Sequence, residues 1–258
     1  MPKIVTIIQA RMGSTRLPEK VLMPILGKPV LWHIVNRLRN VKEINDIIIA
    51  TSNSKKDDKI EDFCKANHID CFRGSEEDVL DRFYKAALKY DPDYLIRITG
   101  DCPLIDPDLI KQLIAYFIAN KFDQCGIATG AGAAQKGFVG RFPDGMDTEI
   151  FTMNALRTAW REAVGPLNRE HVTPYLWKQP KRFKIGTLKS KDKDYSHFRW
   201  TLDNNEDYEL IKWIYEQLYS LKNNFNMYDV LNLLEKNPGV MGKNKHLLGK
   251  EGYEQFWK

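Results

Sequence analysis

The sequence predicts an α/β fold, a mostly parallel sheet with helices on both faces. Strand-like, β-branched runs alternate with stretches of helical apolar spacing from the N-terminus to about Lys121. The strand-like runs read as buried, which suits a parallel sheet covered on both sides.

Ile4 to Gln9 is the first expected strand. Pro29 to Val41 places Val30, Leu31, Ile34, Val35 and Leu38 on one helical face. Asp46 to Ser52 is a second strand, followed by an exposed helix over Lys55 to Asn67 with Ile60 and Phe63 turned inward. CFRGS ends a third strand, Asp78 to Tyr90 is amphipathic through Val79, Phe83, Ala86 and Ala87, and Asp93 to Asp101 is a fourth strand running into a turn. Pro107 suits the first turn of the next helix, which continues to about Lys121.

Beyond that point the regularity weakens. GIATGAGAAQKGFVGRFPDG reads as loop with room for one short strand. NALRTAWREAV and EHVTPYLWK read as helical, with Pro174 at a start or a kink. FKIGTLKS is a further strand, and Asn205 to Leu218 and Tyr228 to Leu234 are amphipathic helices. With no internal repeat or low-complexity linker, residues 1–258 are expected to form one domain, in which 122–200 supplies substrate-side loops and helices.

The composition is that of a soluble globular protein: 258 residues, 43% hydrophobic and 28% charged. A chain of this length buries enough surface to fold without a disulfide or metal staple. The net charge of +5 is spread along the chain, suiting an anionic substrate or a solvated surface alike. No zinc-finger spacing or RNA-binding aromatic signature points to nucleic acid, and KQPKRFK (Lys178 to Lys184) reads as a solvated link into a strand. Cys64, Cys71, Cys102 and Cys125 lack any paired spacing and are expected to be reduced thiols. The apolar run KIVTIIQA is too short for a signal-peptide core or a membrane span, so a cytoplasmic protein is expected.

The chemistry concentrates in QARMGSTRLPEKVL, directly after the first strand, where parallel α/β sheets bind their ligands. Gly13 lets the backbone bend and expose N–H groups, Ser14 and Thr15 add hydroxyls, and Arg11, Arg16 and Lys20 crowd positive charge onto one turn. A triphosphate would neutralise that charge; a solvated basic loop is the alternative. The spacing is neither a Walker A loop nor a GxGxxG turn. Elsewhere Asp101 stands at a strand end after a glycine turn, as a ligand or a turn former, and FPDGMDTEIF puts Asp147 and Glu149 on one side of an extended strand, at a site or at a solvent-facing edge.

IIQARMGSTRLPEKVL resembles the signature loop of the cytidylyltransferases that make CMP-linked sugar acids, closest to the spore coat polysaccharide biosynthesis subgroup and related to CMP-Kdo and CMP-sialate synthetases. The resemblance implies a Rossmann-like nucleotidyltransferase (GT-A-like) fold and a loop wrapped around CTP, with Ala10, Arg11, Met12, Gly13, Ser14, Arg16 and Lys20 at the nucleotide. TGDCPLIDP is similar to the GDxPLI motif, and RWTLDNNEDYELI to a late motif usually written DTPED. These imply Asp101 and Asp203 as Mg²⁺ ligands, with Thr99 beside the nucleotide. Asn204 and Asn205 depart from the usual Thr and Pro, and Glu206 and Asp207 read as the start of the next helix. Mg²⁺ is suited by one or two carboxylates with phosphates and water.

RGSEEDVLDRF resembles the segment near cytosine and ribose, implying Arg73, Asp78 and Arg82, with Asp78 alternatively a helix-start residue. Asp144, Asp147 and Glu149, and Arg169, Glu170 and His171 of NREHVTPY, are similar to acceptor-side segments, although His171 could equally be structural.

The implied reaction is attack of an acceptor oxygen on the α-phosphorus of CTP with release of pyrophosphate, Arg11, Lys20, Asp101 and Asp203 carrying the catalysis. A sugar acid giving a CMP-sugar for surface glycans is the expected acceptor, and a phosphorylated acceptor giving a CDP product the alternative. Glycosyl transfer would call for a DxD motif, but Cys102 and Pro103 follow Asp101; a non-catalytic nucleotide sensor is the third reading. No residue stands out as general base. Relatives commonly form dimers, so a homodimer is among the states open to the chain; neither nucleic acid nor membrane is an expected partner.

Overall fold

The computed structural model describes residues 2–129 and 139–248. Strand β1 (Ile4–Gln9) sends Ile4 and Ile8 into one core and Val5 and Ile7 into another, because alternate side chains leave opposite faces of a strand. Both faces are covered, which is why the run is apolar throughout. The loop that follows ends in a hairpin of β2 (Pro24–Ile25) and β3 (Lys28–Pro29), turning through Leu26 and Gly27 at φ 49° and 73°. That left-handed pair is the turn a two-residue hairpin favours. Two-residue strands carry too little pattern to be read in advance.

The expected alternation then appears in order: α1 (Val30–Leu38), β4 (Asp46–Ser52), α2 (Asp58–Ala66), β5 (Asp70–Gly74), α3 (Val79–Leu88), β6 (Tyr94–Thr99) and α4 (Pro107–Asn120). Asp106 fixes where α4 begins, its Oδ1 accepting the backbone N–H of Asp108 at 2.7 Å and of Leu109 at 3.3 Å. The glycine-rich region contributes β7 (Gln124–Ile127), and residues 130–138 of that expected loop lie outside the described residues. Next come β8 (Thr148–Thr152) and α5 (Met153–Glu162). The helix expected over EHVTPYLWK divides into α6 (Pro166–His171) and α7 (Pro174–Trp177), broken at Val172 with φ 70°. Then follow β9 (Ile185–Leu188), α8 (Asn205–Leu218), α9 (Met227–Glu235) and α10 (Pro238–Met241), α10 having no counterpart in the expectation.

Among the described residues, seven strands form one sheet in the order β5-β4-β1-β6-β8-β7-β9. All neighbours are parallel except β8, which runs antiparallel to both β6 and β7. An interior β8 corrects the reading of Asp147 and Glu149 as a solvent-facing edge. One face packs against α1, α2, α4, α8 and α9, the other against α3, α5 and α7. No helix among the described residues is long and apolar enough to cross a membrane, and the four cysteines are free thiols.

Polar anchors tie the C-terminal helices to the first half of the sheet. Buried Arg37 of α1 donates to the carbonyl of Ile105 at 2.6 Å and of Phe225 at 2.8 Å. Tyr215 of α8 donates to the Pro103 carbonyl at 2.7 Å, and Asp106 Oδ2 accepts from the N–H of Met227, the first residue of α9, at 2.7 Å. These bonds hold α8 and α9 beside the turn that follows β6.

Gly145, at φ 100°, is where the chain returns toward Trp200; a Cβ there would lie 2.5 Å from the Trp200 carbonyl carbon. Both atoms belong to fixed backbone, so neither a rotamer change nor a small shift relieves the overlap. Gly145→Ala is therefore expected to cost about 3 kcal/mol, lowering Tm by about 6–12 °C in a thermal melt. An unchanged Tm would mean that this crossing does not hold the fold together.

Candidate active site

The loop after β1 is shaped by a buried carboxylate. Asp57 accepts the Met12 N–H at 2.7 Å through Oδ1, while Oδ2 receives the Thr51 hydroxyl at 2.9 Å and the Ser52 N–H at 3.0 Å. Ala10 N–H donates to the Ala50 carbonyl at 3.2 Å, continuing the β1–β4 ladder one step into the loop. The Met12 carbonyl accepts the Ser14 N–H at 3.0 Å, and Ser14 Oγ accepts the Leu17 N–H at 3.3 Å. Ala10 and Met12 are thus buried as the loop's root, whereas Arg11, Gly13 and Arg16 remain exposed at its crest.

The loop then delivers Lys20 inward. Its Nζ lies 2.9 Å from Asp101 Oδ2 and 2.7 Å from Asp203 Oδ1, and Arg16 reaches Asp203 Oδ2 at 2.9 Å. Asp101 stands at the carboxyl end of β6, where Gly100 allows close approach: a Cβ there would meet Ala10 Cβ and Val21 Cγ1 at 3.1 Å. The Asp101 carbonyl accepts the Leu202 N–H at 2.8 Å, which brings Asp203 alongside. Burial alone would raise the Asp101 carboxyl, but the Lys20 charge and hydrogen bond, with Thr99, lower it to about 2. Burial correspondingly disfavours charge on Lys20, and the two carboxylates more than offset it, raising the ammonium above its ordinary value. Cys102 next door is pushed well up by burial and then by Asp101 and Asp147, so its thiol is neutral and no nucleophile.

Asp203 is held from behind by Arg199, a residue that sequence reasoning missed. The fully buried guanidinium contacts Asp203 at 3.2 Å, Asp144 at 3.0 Å and Asp207 at 3.0 and 3.1 Å. Asp207, expected only as a helix-start residue, also accepts the N–H groups of Asp203 at 3.1 Å and Asn204 at 3.0 Å. The signal was a lone arginine within FRWTL, otherwise an apolar run: a buried cation demands counter-charges. Asp144, expected on the acceptor side, spends its buried carboxylate on Arg199 instead.

Arg82 of α3 is the most conspicuous of the residues expected at the nucleotide. It is 1% exposed; Nη1 donates to the Ser75 carbonyl at 2.6 Å, while Nε and Nη2 have no partner among the described residues. Burial and then the nearby Arg11 lower its guanidinium to about 10, still cationic at neutral pH. Unpaired buried donors are costly, which fits a group awaiting an acceptor. Asp78 caps α3 by accepting the Asp81 N–H at 2.9 Å and pairs with Arg169 at 2.5 Å, so two expected site residues neutralise each other. Arg73 departs from the group: it clamps the Ser52 and Ser54 carbonyls and the carboxylates of Asp58 and Glu61.

On the other side of Asp101, a polar patch crosses the sheet. Glu149 of β8 pairs with Arg97 of β6 at 2.9 Å and accepts from Gln124 of β7 at 3.0 Å and Thr173 at 2.7 Å. Asp147 accepts the Thr129 hydroxyl at 2.6 Å and the Gly145 N–H at 2.9 Å, and burial raises its carboxyl. Burial and then Arg97 lower His171 to about 4, leaving a neutral imidazole at physiological pH. Glu170 of α6 faces Arg11 of the loop across 3.9 Å.

No group of three or more His, Cys, Asp or Glu side chains that could hold a metal ion gathers among the described residues, and the pair that the sequence offers for a divalent cation is Asp101 and Asp203. Both converge on one ammonium, which marks a place where positive charge is favoured. An oxygen-only donor pair fits Mg²⁺, which takes its remaining ligands from phosphates and water.

This chain is similar to known proteins along most of its length. The cytidylyltransferase family model matches residues 5–237. The spore coat polysaccharide biosynthesis protein SpsF of Bacillus subtilis is 35% identical over 244 residues, covering 92% of this chain and 96% of that protein. An uncharacterized protein of Methanocaldococcus jannaschii is 35% identical over 249 residues, covering 96% of this chain and 97% of its own. The structure of a cytidylyltransferase from Leptospira borgpetersenii superposes with a TM-score of 0.83 at 33% identity, over 93% of this chain and 97% of that one. A CMP:2-keto-3-deoxy-manno-octonic acid synthetase complexed with CTP shares the fold, with a TM-score of 0.64 at 19% identity over 83% of this chain and 99% of that one. With a family match over most of its length and relatives of this identity along nearly all of it, the chain belongs to the cytidylyltransferases and is a nucleotidyltransferase.

Proposed function

We propose that the protein transfers CMP from CTP to a hydroxyl of a sugar acid, releasing pyrophosphate and supplying a CMP-sugar for surface glycan synthesis. The observation that carries this reading is the Lys20 bridge between Asp101 and Asp203 beneath the Arg11–Arg16 crest. It gathers cations and carboxylates where a triphosphate would lie, at the carboxyl ends of β1 and β6. The similarity to a spore coat polysaccharide biosynthesis protein supports the destination of the product.

In this reading Arg11 and Arg16 hold the β- and γ-phosphates through charge-assisted hydrogen bonds. Lys20 stabilises the charge that grows on the α-phosphoryl oxygens as the acceptor oxygen bonds to phosphorus and pyrophosphate departs. Asp101 and Asp203 would hold Mg²⁺, which supplies Lewis-acid polarisation and charge neutralisation when bound. The buried donors of Arg82 meet oxygen acceptors of the nucleotide. The Arg97–Glu149–Gln124 patch, with Thr173 and neutral His171, orients the acceptor by hydrogen bonds.

Pyrophosphate release, followed with each nucleoside triphosphate and Mg²⁺ against sugar acids and sugar phosphates, is expected with CTP and a sugar acid. Asp101→Asn should lower that rate at least about a hundredfold. A response confined to sugar phosphates would move the product to a CDP compound, and CTP binding with no turnover on any acceptor would support a sensor.

A second outcome concerns the nucleotide alone. Arg82→Lys keeps the charge but loses the forked donors, and titration calorimetry should show CTP binding at least about tenfold weaker, as for a lost charge-assisted hydrogen bond. An unchanged affinity would remove Arg82 from the nucleotide site.

A further inference from the structure

Residues 238–248 lie beyond the residues that the family model matches, yet they reach the heart of the carboxylate network. Asn244, 2% exposed, follows α10 and donates through Nδ2 to the Arg199 carbonyl at 2.9 Å and to Asp207 Oδ1 at 2.8 Å. Asp207 Oδ1 has one other donor, Arg199 Nε at 3.0 Å, while Oδ2 binds the N–H groups of Asp203 and Asn204. The chain of contacts is therefore short: Asn244 to Asp207 and Arg199, and from both of these to Asp203. Among the described residues, no other side chain of the C-terminal segment hydrogen-bonds to that network.

We infer that Asn244 is a positioning residue, through which the C-terminal segment sets the orientation of the Asp203 carboxylate toward a divalent cation. The inference rests on the reading that Asp203 is a metal ligand. Asp207 is fully buried and must have every lone pair engaged to keep Arg199 in its bidentate grip. Without the Asn244 donor, Oδ1 loses half its partners and the Arg199 carbonyl loses one. The guanidinium then rotates toward the remaining acceptors, and Asp203 is drawn with it. Groups one step behind a metal ligand act in this way, by fixing the direction of the ligand's lone pairs.

The test is Mn²⁺ binding to the CTP-saturated full chain, read by electron paramagnetic resonance, beside CTP affinity in EDTA. Asn244→Ala is expected to weaken Mn²⁺ binding about tenfold, with CTP affinity in EDTA unchanged, and Asp203→Asn to abolish Mn²⁺ binding. Retained Mn²⁺ affinity in Asn244→Ala overturns the inference. So does an equal loss of Mn²⁺ and metal-free CTP binding, the mark of general structural damage. If the unsubstituted chain with CTP binds no Mn²⁺, the metal reading itself fails and the inference falls with it. Should Asn244→Ala not fold, Asn244→Gln, which keeps an amide displaced by one methylene, carries the same comparison.

Discussion

One ammonium group organises the site: Lys20 holds together two carboxylates that lie 81 and 183 residues away from it in sequence. Two aspartates placed side by side in a partly buried cleft repel each other, and burial penalises the charge on each. A cation between them converts that repulsion into the strongest constraint on the cleft's shape. Counting outward among the described residues, Asp101, Asp203, Asp144 and Asp207 are joined to Lys20, Arg16 and Arg199 in one network of ion pairs.

The fold serves that constraint by bringing chain ends of strands together. β1 and β6 are adjacent and parallel, so the Lys20 loop and the Asp101 turn leave the sheet side by side. Asp203 has no such birthright; it arrives because the segment after β9 runs back past Asp144 and Asp101. Trp200 N–H donates to the Asp144 carbonyl at 2.7 Å and Leu202 N–H to the Asp101 carbonyl at 2.8 Å. Two backbone bonds two residues apart fix the register of that passage, and Gly145 makes room for it. Antiparallel β8 sits between β6 and β7, so Asp147 and Glu149 rise from the middle of the sheet next to Asp101.

The elements most legible in the sequence are those with a long period. The spacing of Val30, Leu31, Ile34 and Leu38 and the proline at position 107 placed α1 and α4 to within a few residues, and Asn205–Leu218 was read at its observed bounds. β8 was not legible as an antiparallel interior strand, because strand direction depends on its neighbours and not on its own residues. The same limit applies to the site. Asp101, Asp203 and Lys20, which the structure brings together, were singled out through motifs, and Arg82 through a segment resemblance. Arg199, Asp57 and Asn244 were not, since each acts by contacting other protein groups, and a single buried polar residue carries no spacing to be recognised. Arg73 shows the reverse: a segment resemblance singled it out for the nucleotide, but nearby Asp58 and Glu61 claim its guanidinium.

The two halves of the cleft differ in how their charges are spent, and that difference bears on recognition. On the side proposed for the phosphates, Arg11 and Arg16 are exposed cations whose carboxylate contacts leave much of each guanidinium open to solvent. On the side proposed for the acceptor, Arg97 is paired with Glu149 and His171 is neutral. Opposite charges already joined contribute little net field but keep strict geometry, because each partner's hydrogen bonds fix the other's rotamer. In the proposed reading the phosphates are thus met by charge and the acceptor by directional hydrogen bonds. Charge attracts any triphosphate and discriminates weakly, whereas a rigid set of donors and acceptors rejects a sugar whose hydroxyls leave one of them unpaired, at a cost of about 1–3 kcal/mol for each. In the proposed reading, selectivity among acceptors therefore resides in the Arg97–Glu149–Gln124 patch, whose three residues all stand on strands of the sheet.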